Sequence, residues 1–293
     1  MKVHISIPAY NEVESLPQVV KDIKEVMDKQ KDSYSIVVVD DGSKDKIREV
    51  AKKAGAQVIS HPYNYGLAET FRTEMEQALR LKPDIIVHTD ADGQYRARDI
   101  PKLIDPIKKG EADLVLGDRF SGGIEEMSLV KRLGNKAFSR VISKIIKFKI
   151  NDCQTGFRSF VPKVAKISIT STHTYTQEQI IRAVREKFKV KEVPVYFAKR
   201  DGDSRLINNP FEYAIKAWVN IFRIYRDFAP LKFFGKIGLS FVGAGVMIGA
   251  WLVYLFIRTG RVGHLPLTIL TILLIMLGIQ IMLFGFLADM KKA

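Results

Sequence analysis

The sequence predicts an α/β domain on a mostly parallel sheet, followed by an amphipathic helix and a hairpin of two apolar, membrane-length helices. Three observations carry that expectation. Over residues 1–209, short continuous apolar runs alternate with stretches whose apolar residues recur at helical spacing. Strands buried on both faces read this way, with crossover helices covering a parallel sheet. Over 210–230, Phe211, Ile215, Trp218, Phe222 and Tyr225 step by four and three along one face, while Lys216, Asn220, Arg223 and Arg226 lie elsewhere. Such a helix lies at a membrane surface, packs on the domain's own core, or does both. Within 231–293, Ile237–Ile257 and Leu265–Ala288 are uncharged runs of 21 and 24 residues. Each exceeds the roughly 20 residues that cross a bilayer core.

The elements follow in order. "KVHISIP" reads as a first strand, and "MKVHISIPAYNE" opens a strand rather than a basic-then-apolar leader. From Leu16, the residues Val19, Val20, Ile23, Val26 and Met27 mark a helix. "YSIVVVDDGS" is a buried strand running into a turn, Lys44 to Ala54 a helix, "AQVIS" a strand and Gly66 to Leu81 a helix. "DIIVHTD" is the next buried strand, "RDIPKLIDPIKKG" a helix with proline in its first turn, and "ADLVLGDR" another strand.

Charge narrows the partners. The chain of 293 residues carries a net charge of +14, which favours anionic ligands or an anionic lipid surface. Its basic residues show no aromatic-interleaved pattern, so nucleic acid is disfavoured. The single cysteine, Cys153, excludes an intrachain disulfide and a cysteine metal cluster. Arg223, Arg226, Lys232 and Lys236 precede the first apolar run, and Lys291 and Lys292 follow the second, against Arg258 and Arg261 between them. The positive-inside rule then puts both termini in the cytoplasm and makes the chain a two-span membrane protein.

The acids are the chemical signal. "HTDADGQY" sets Asp90 and Asp92 at the end of an apolar strand, where they suit a hard divalent cation, a phosphate bridged by it, or an acidic turn. "PAYNE" follows the first strand and "VVVDDGSKD" the second. All three lie at strand C-termini, where open α/β sheets bind ligands. No G-x-G-x-x-G follows the first strand, which disfavours a dehydrogenase-type dinucleotide site.

With these motifs in this order, the chain resembles the family 2 glycosyltransferases of the GT-A fold over roughly residues 3–200. "HPYNYGLAETFRT", "LGDR" ending at Arg119, "DCQTGFRSF" and "KRDGDSR" are similar to segments of polyprenyl-phosphate sugar synthases. The whole resembles the dolichyl-phosphate mannose synthases and their glucose-transferring bacterial relatives. Departures are Asp118 for the usual Ser, Glu74 for the usual Gly, Arg205 for the usual Lys, Arg96 to Arg98 for a Pro-rich stretch, and one residue fewer between Arg200 and the following Gly.

The resemblance implies a membrane-anchored, inverting hexosyltransferase. Its donor would be GDP-mannose first or UDP-glucose second, its acceptor dolichyl or another polyprenyl phosphate, and its cofactor Mg²⁺ or Mn²⁺. Pro8, Tyr10, Glu12 and Asp40 would hold the nucleoside, with Ala91 beside them and Asp41 as an alternative helix cap. Asp90, Asp92 and Gln94 would hold the metal, Asp92 foremost. Arg119, Arg200 and Arg205 would meet phosphates, where guanidinium forks match oxygen pairs. Arg132, Lys136 and Arg200 would hold the lipid phosphate.

Other candidates carry less. Glu178 in "TQEQ" stands where related transferases often have a general base; a phosphate acceptor needs none, so positioning or capping is the other reading. Cys153, His61, His88 and His173 read as structural. A processive polysaccharide synthase is disfavoured because no Q-x-x-R-W segment is present and two spans are few for a channel. A non-catalytic adaptor is disfavoured by the intact D-x-D and arginines.

Overall fold

The computed structural model describes residues 1–171, 175–199, 210–261 and 264–290, with the backbone alone over 210–217. The chain forms two compact units, Met1–Ile215 and Lys216–Ala293.

The first unit begins with β1 (Lys2–Ala9), α1 (Leu16–Met27), β2 (Ser33–Asp40), α2 (Ile47–Lys53), β3 (Gln57–Ser60), α3 (Leu67–Leu81) and β4 (Ile85–His88). A single 3₁₀ turn, Ala97–Asp99, leads into α4 (Ile100–Lys108). Then come β5 (Leu114–Asp118), α5 (Arg119–Gly122), α6 (Leu129–Ile146), β6 (Arg158–Phe160), α7 (Pro162–Ala165), α8 (Tyr175–Arg185) and β7 (Val190–Pro194). The seven strands lie in the order β3-β2-β1-β4-β6-β5-β7. Every pairing is parallel except those of β6, which runs antiparallel between β4 and β5.

The expected mostly parallel sheet is therefore present, and its reason is visible in burial. Val3, Ile5 and Ile7 of β1 and Ile85, Ile86 and Val87 of β4 are 0% exposed. Helix α1 turns Leu16, Val19, Val20, Ile23 and Met27 onto the sheet. Each such side chain stabilises the fold by about 1.5–3 kcal/mol on full burial. Helix α2 is shorter than the sequence suggests, because Asp45 and Lys46 are held in the turn that precedes it. Helix α6 and the antiparallel β6 were not legible as elements. The first exposes Leu129, Val130 and Leu133, which blurs its apolar stripe, and the second is only three residues long.

The strand order places a topological switch beside β1, whose neighbours β2 and β4 carry the chain to opposite sides. Crevices at such points are where open α/β sheets take ligands.

Helix α9 (Pro210–Phe228) begins where the amphipathic segment was expected, and the boundary between the units falls inside it. In the second unit, α10 (Pro230–Thr259) and α11 (Leu265–Met290) are longer than the uncharged runs they contain. Both are long and apolar enough to cross a membrane, and only 6% and 11% of their most apolar windows are buried within the chain. Buried core helices would show the reverse. The two helices pack through small residues at seven-residue spacing: Gly238 and Gly245 on α10, Thr271, Gly278 and Gly285 on α11. A Cβ on Gly278 would fall 2.6 Å from the Gly238 carbonyl oxygen, so glycine permits this backbone approach.

Candidate active site

The ends of β1 and β2 are braced together. The Asn11 N–H donates to Ser43 Oγ at 2.9 Å, the Lys44 N–H to Asn11 Oδ1 at 2.9 Å, and the Val13 N–H to Asp45 Oδ2 at 3.1 Å. Asn11 adopts φ 54°, a left-handed conformation that asparagine tolerates. Gly42 has φ 72°, and a Cβ there would run into the backbone of Tyr63.

Asp40 is fully buried beneath this brace. Its carboxylate accepts from the Ser43 N–H at 2.8 Å and from Arg48 Nε at 2.7 Å. Burial pushes its pKa up, but the hydrogen bonds from Ser43 and Arg48 outweigh that and hold it below the usual carboxylate range. Asp41 does not cap α2. Its carboxylate accepts from the N–H groups of Tyr65 at 2.8 Å and Gly66 at 2.9 Å and meets His61 Nδ1 at 2.8 Å. It is thus turned toward the loop after β3, and fixes that loop rather than a helix end. Pro8 is buried in β1, whose buried stretch ends at Ala9, and Tyr10 stands beyond it, 38% exposed.

The D-x-D turn follows β4, with Gly93 at φ 74°. Asp90, Asp92 and Gln94 are partly exposed, and Ala91 is buried. Asp92 Oδ1 accepts from the Gln94 N–H at 3.1 Å, and Gln94 Nε2 donates to the Ala198 carbonyl at 3.1 Å. Asp90 lies against the Q-T-G-F-R segment: a Cβ on Gly156 would come within 3.0 Å of one Asp90 oxygen and 3.1 Å of the other. Glycine there makes room for the carboxylate. Tyr95 forms the floor between the two motifs. Its hydroxyl accepts from the Gly156 N–H at 3.1 Å, its ring stacks on Phe157 at 5.0 Å, and burial pushes its phenol up to about 12.

Among the described residues, no cluster of three or more acidic, histidine or cysteine side chains forms a closed metal cage. Two neighbouring, partly exposed carboxylates suit a different kind of site. Mg²⁺ and similar hard cations take one or two carboxylates and complete their shell with water and substrate phosphates. The donor set fits that arrangement.

Arg119 stands apart from the open phosphate-binding arm that the sequence suggests. It is 7% exposed, and its Nε and Nη2 donate to the two oxygens of Asp152 at 2.6 and 2.9 Å. Burial works against its charge, but Tyr95, Asp152 and Asp90 around it raise its pKa above the ordinary value. Any phosphate reaching Arg119 would meet a guanidinium with one edge already held. Asp118, in the usual Ser position, caps α5 by accepting from the N–H groups of Phe120 at 2.9 Å and Ser121 at 3.2 Å. Arg132 and Lys136 are exposed on α6, and the Lys136 ammonium lies 5.7 Å from the Phe120 ring centre. Arg200, Arg205 and His173 lie outside the described residues.

Glu178 is 1% exposed. Its carboxylate accepts from the Thr170 N–H and hydroxyl, from the Ser171 N–H at 2.7 Å and from Arg182 Nε at 2.8 Å. These bonds tie the carboxylate to Thr170 and Ser171 and to Arg182 on its own helix. Cys153 is buried, and burial pushes its thiol up to about 12. His61 is buried between Asp41 and Thr73, and buried His88 has Nδ1 2.9 Å from Glu74 Oε2 without an aligned hydrogen bond between them.

A cleft of about 1000 Å³ opens over the switch point, lined among others by Glu12, Lys44, Asp92, Tyr95, Arg96 and Lys199. It brings Glu12 and Asp92 together. Tyr10, Asp40, Asp90 and Arg119 do not line it. Sequence reasoning gave Tyr95 and Asp152 no role: Asp152 opens the D-C-Q-T-G-F-R segment, while its partner Arg119 ends a different segment 33 residues earlier.

This fold and site define the GT-A class of glycosyltransferases. The chain belongs to glycosyl transferase family 2, whose model matches residues 4–166. It is 34% identical over 206 residues to a dolichyl-phosphate hexose transferase of Haloferax volcanii, covering 69% of this chain and 84% of that protein. It is 29% identical over 217 residues to a UDP-N-acetylglucosamine–dolichyl-phosphate N-acetylglucosaminyltransferase of Methanococcus voltae, covering 66% and 84%. Among solved structures, glucosyl-3-phosphoglycerate synthase from Mycobacterium tuberculosis, in complex with Mn²⁺, UDP-glucose and phosphoglyceric acid, superposes with a TM-score of 0.59 at 18% identity, over 76% of this chain and 78% of that one. That likeness concerns the fold.

Proposed function

We propose that the chain transfers a hexose from a nucleoside diphosphate sugar to the phosphate of a polyprenol at a membrane surface, with inversion at the anomeric carbon. The observation that carries this reading is the joining of Asp92 and Glu12 in one switch-point cleft, in a family 2 chain that ends in two membrane-length helices. The named relatives that act on dolichyl phosphate support the acceptor class. Mannose from GDP-mannose is the first reading of the donor, and glucose from UDP-glucose the second.

The roles follow from chemistry. Pro8, Tyr10 and Glu12 border the nucleoside, while Asp40, expected beside them, is buried and fixes the end of β2 through Ser43 and Arg48 instead; Asp90, Asp92 and Gln94 would hold a divalent cation. When bound, that cation neutralises charge on the departing diphosphate. The bond from the anomeric carbon to the diphosphate oxygen breaks, and an oxygen of the acceptor phosphate bonds to the same carbon from the opposite face. The nucleoside diphosphate leaves. Arg132, Lys136, Arg200 and Arg205 supply positive charge where two anionic reactants must meet. The acceptor phosphate is largely ionised near neutrality, its second pKa being about 6, so it needs no general base. The engagement of Glu178 by Thr170, Ser171 and Arg182 agrees with that. Basic residues flanking the hairpin favour cytoplasmic termini.

The test is a donor panel. Purified chain in vesicles receives polyprenyl phosphate, Mg²⁺ or Mn²⁺, and GDP-mannose, UDP-glucose or UDP-N-acetylglucosamine in turn. One donor should be consumed at least tenfold faster than the others, GDP-mannose on the first reading. Consumption of none overturns the proposal.

A further inference from the structure

We propose that the apolar hairpin pairs with a second copy of itself through Gln280. The inference rests on reading α10 and α11 as membrane spans. At about 1.5 Å per residue, Gln280 lies about 4 Å from the middle of α11. It is exposed, and among the described residues no hydrogen bond engages its side-chain amide. It also points away from α10, because Thr271, Gly278 and Gly285, which are buried against that helix, occupy the opposite face.

An amide at this depth has no water to satisfy two N–H donors and a carbonyl. Lipid chains offer nothing, and lipid headgroups lie beyond the reach of a glutamine near the bilayer middle. Polar side chains in spans find their partners on other helices. The residues around Gln280 give that partner a shape. Leu273, Leu277, Phe284 and Leu287 are 57%, 44%, 63% and 59% exposed and flank it at alternating steps of four and three. That is the seam of a left-handed helix pair with one polar residue at its centre.

The chemistry selects a like partner. A carboxamide is its own complement: Nε2 of each copy donates to Oε1 of the other. A two-fold axis along the bilayer normal brings equivalent residues of two copies to the same depth. Gln280 then meets Gln280 with no further matching required, whereas an unlike helix would need its own polar group at that depth.

The experiment uses the full chain, labelled at its N-terminus with a donor or an acceptor fluorophore and reconstituted in phosphatidylcholine vesicles. Energy transfer is followed as lipid dilutes the protein, for wild type, Gln280→Leu and Gln280→Asn. Vesicle flotation is measured alongside. Wild type should show energy transfer that falls on dilution. Gln280→Leu should lose it at a protein density roughly tenfold higher, and Gln280→Asn should stay within about threefold of wild type. Superimposable curves for wild type and Gln280→Leu, or no transfer in wild type that floats, overturn the pairing and leave the membrane reading intact. A wild type that does not float overturns both.

Discussion

Arg119 meets Asp152 edge to edge, Nε to Oδ2 at 2.6 Å and Nη2 to Oδ1 at 2.9 Å, with both side chains buried. A buried pair of this kind is costly to break from one side, because the remaining charge stays desolvated. Asp152→Ala should destabilise the first unit by about 3–5 kcal/mol. Arg119→Met with Asp152→Leu should cost less than the sum of the single changes. Denaturant unfolding of the three variants checks this; additive losses would show that the pair is not coupled.

Asp92→Ala should leave the fold intact and lower the transfer rate by about 10²-fold or more, through loss of one metal carboxylate. Asp92 is partly exposed at a turn, so little packing is lost. Initial rates and thermal midpoints, measured on the same preparations, separate the two effects. Excess chelator should reproduce the loss in wild type.

Glu178→Ala should act on stability first. It removes the acceptor shared by Thr170, Ser171 and Arg182, at a cost of about 2–3 kcal/mol. Glu178→Gln should keep substantial activity per folded molecule. Loss of activity in Glu178→Gln with an unchanged thermal midpoint would instead make Glu178 a base and the acceptor a hydroxyl.

How far the sequence reached depends on what fixes each feature. The parallel strands were legible because burial on both faces demands continuous apolar runs, as in "SIVVVD" and "IIVH". The joining of Glu12 and Asp92 follows from their places after β1 and β4, which pair directly, because strand ends are where such sheets bind ligands. Asp41 was not legible, since its partners Tyr65 and Gly66 lie 24 and 25 residues away. The burial of Arg119 was equally hidden. An arginine inside a family motif reads the same whether it faces a ligand or an aspartate 33 residues on. The short antiparallel β6 has too few residues for any periodicity to register.

His4 gives the fold a pH dependence. Burial first, and Lys2 second, lower its imidazole pKa from 6.5 to about 4. Between those values the unfolded chain binds a proton that the folded chain does not, so stability rises with pH across that window. It is fully present above about pH 6.5 and lost as pH falls toward 4, by on the order of 3 kcal/mol in all. Thermal midpoints at pH 7.0 and 4.5 should fall more in wild type than in His4→Leu, which has no proton to take up there.

Two acceptors that differ only in a phosphate distinguish a lipid-phosphate transferase from a hydroxyl transferase. Purified chain in vesicles with divalent metal and its preferred nucleotide sugar receives either polyprenyl phosphate or the corresponding free polyprenol; the lipid product is identified by mass spectrometry and its anomeric configuration by NMR. The expected product is glycosylated polyprenyl phosphate with inverted anomeric configuration, with none from the free alcohol. Efficient transfer to the alcohol, or retained configuration on the phosphate, would contradict that expectation.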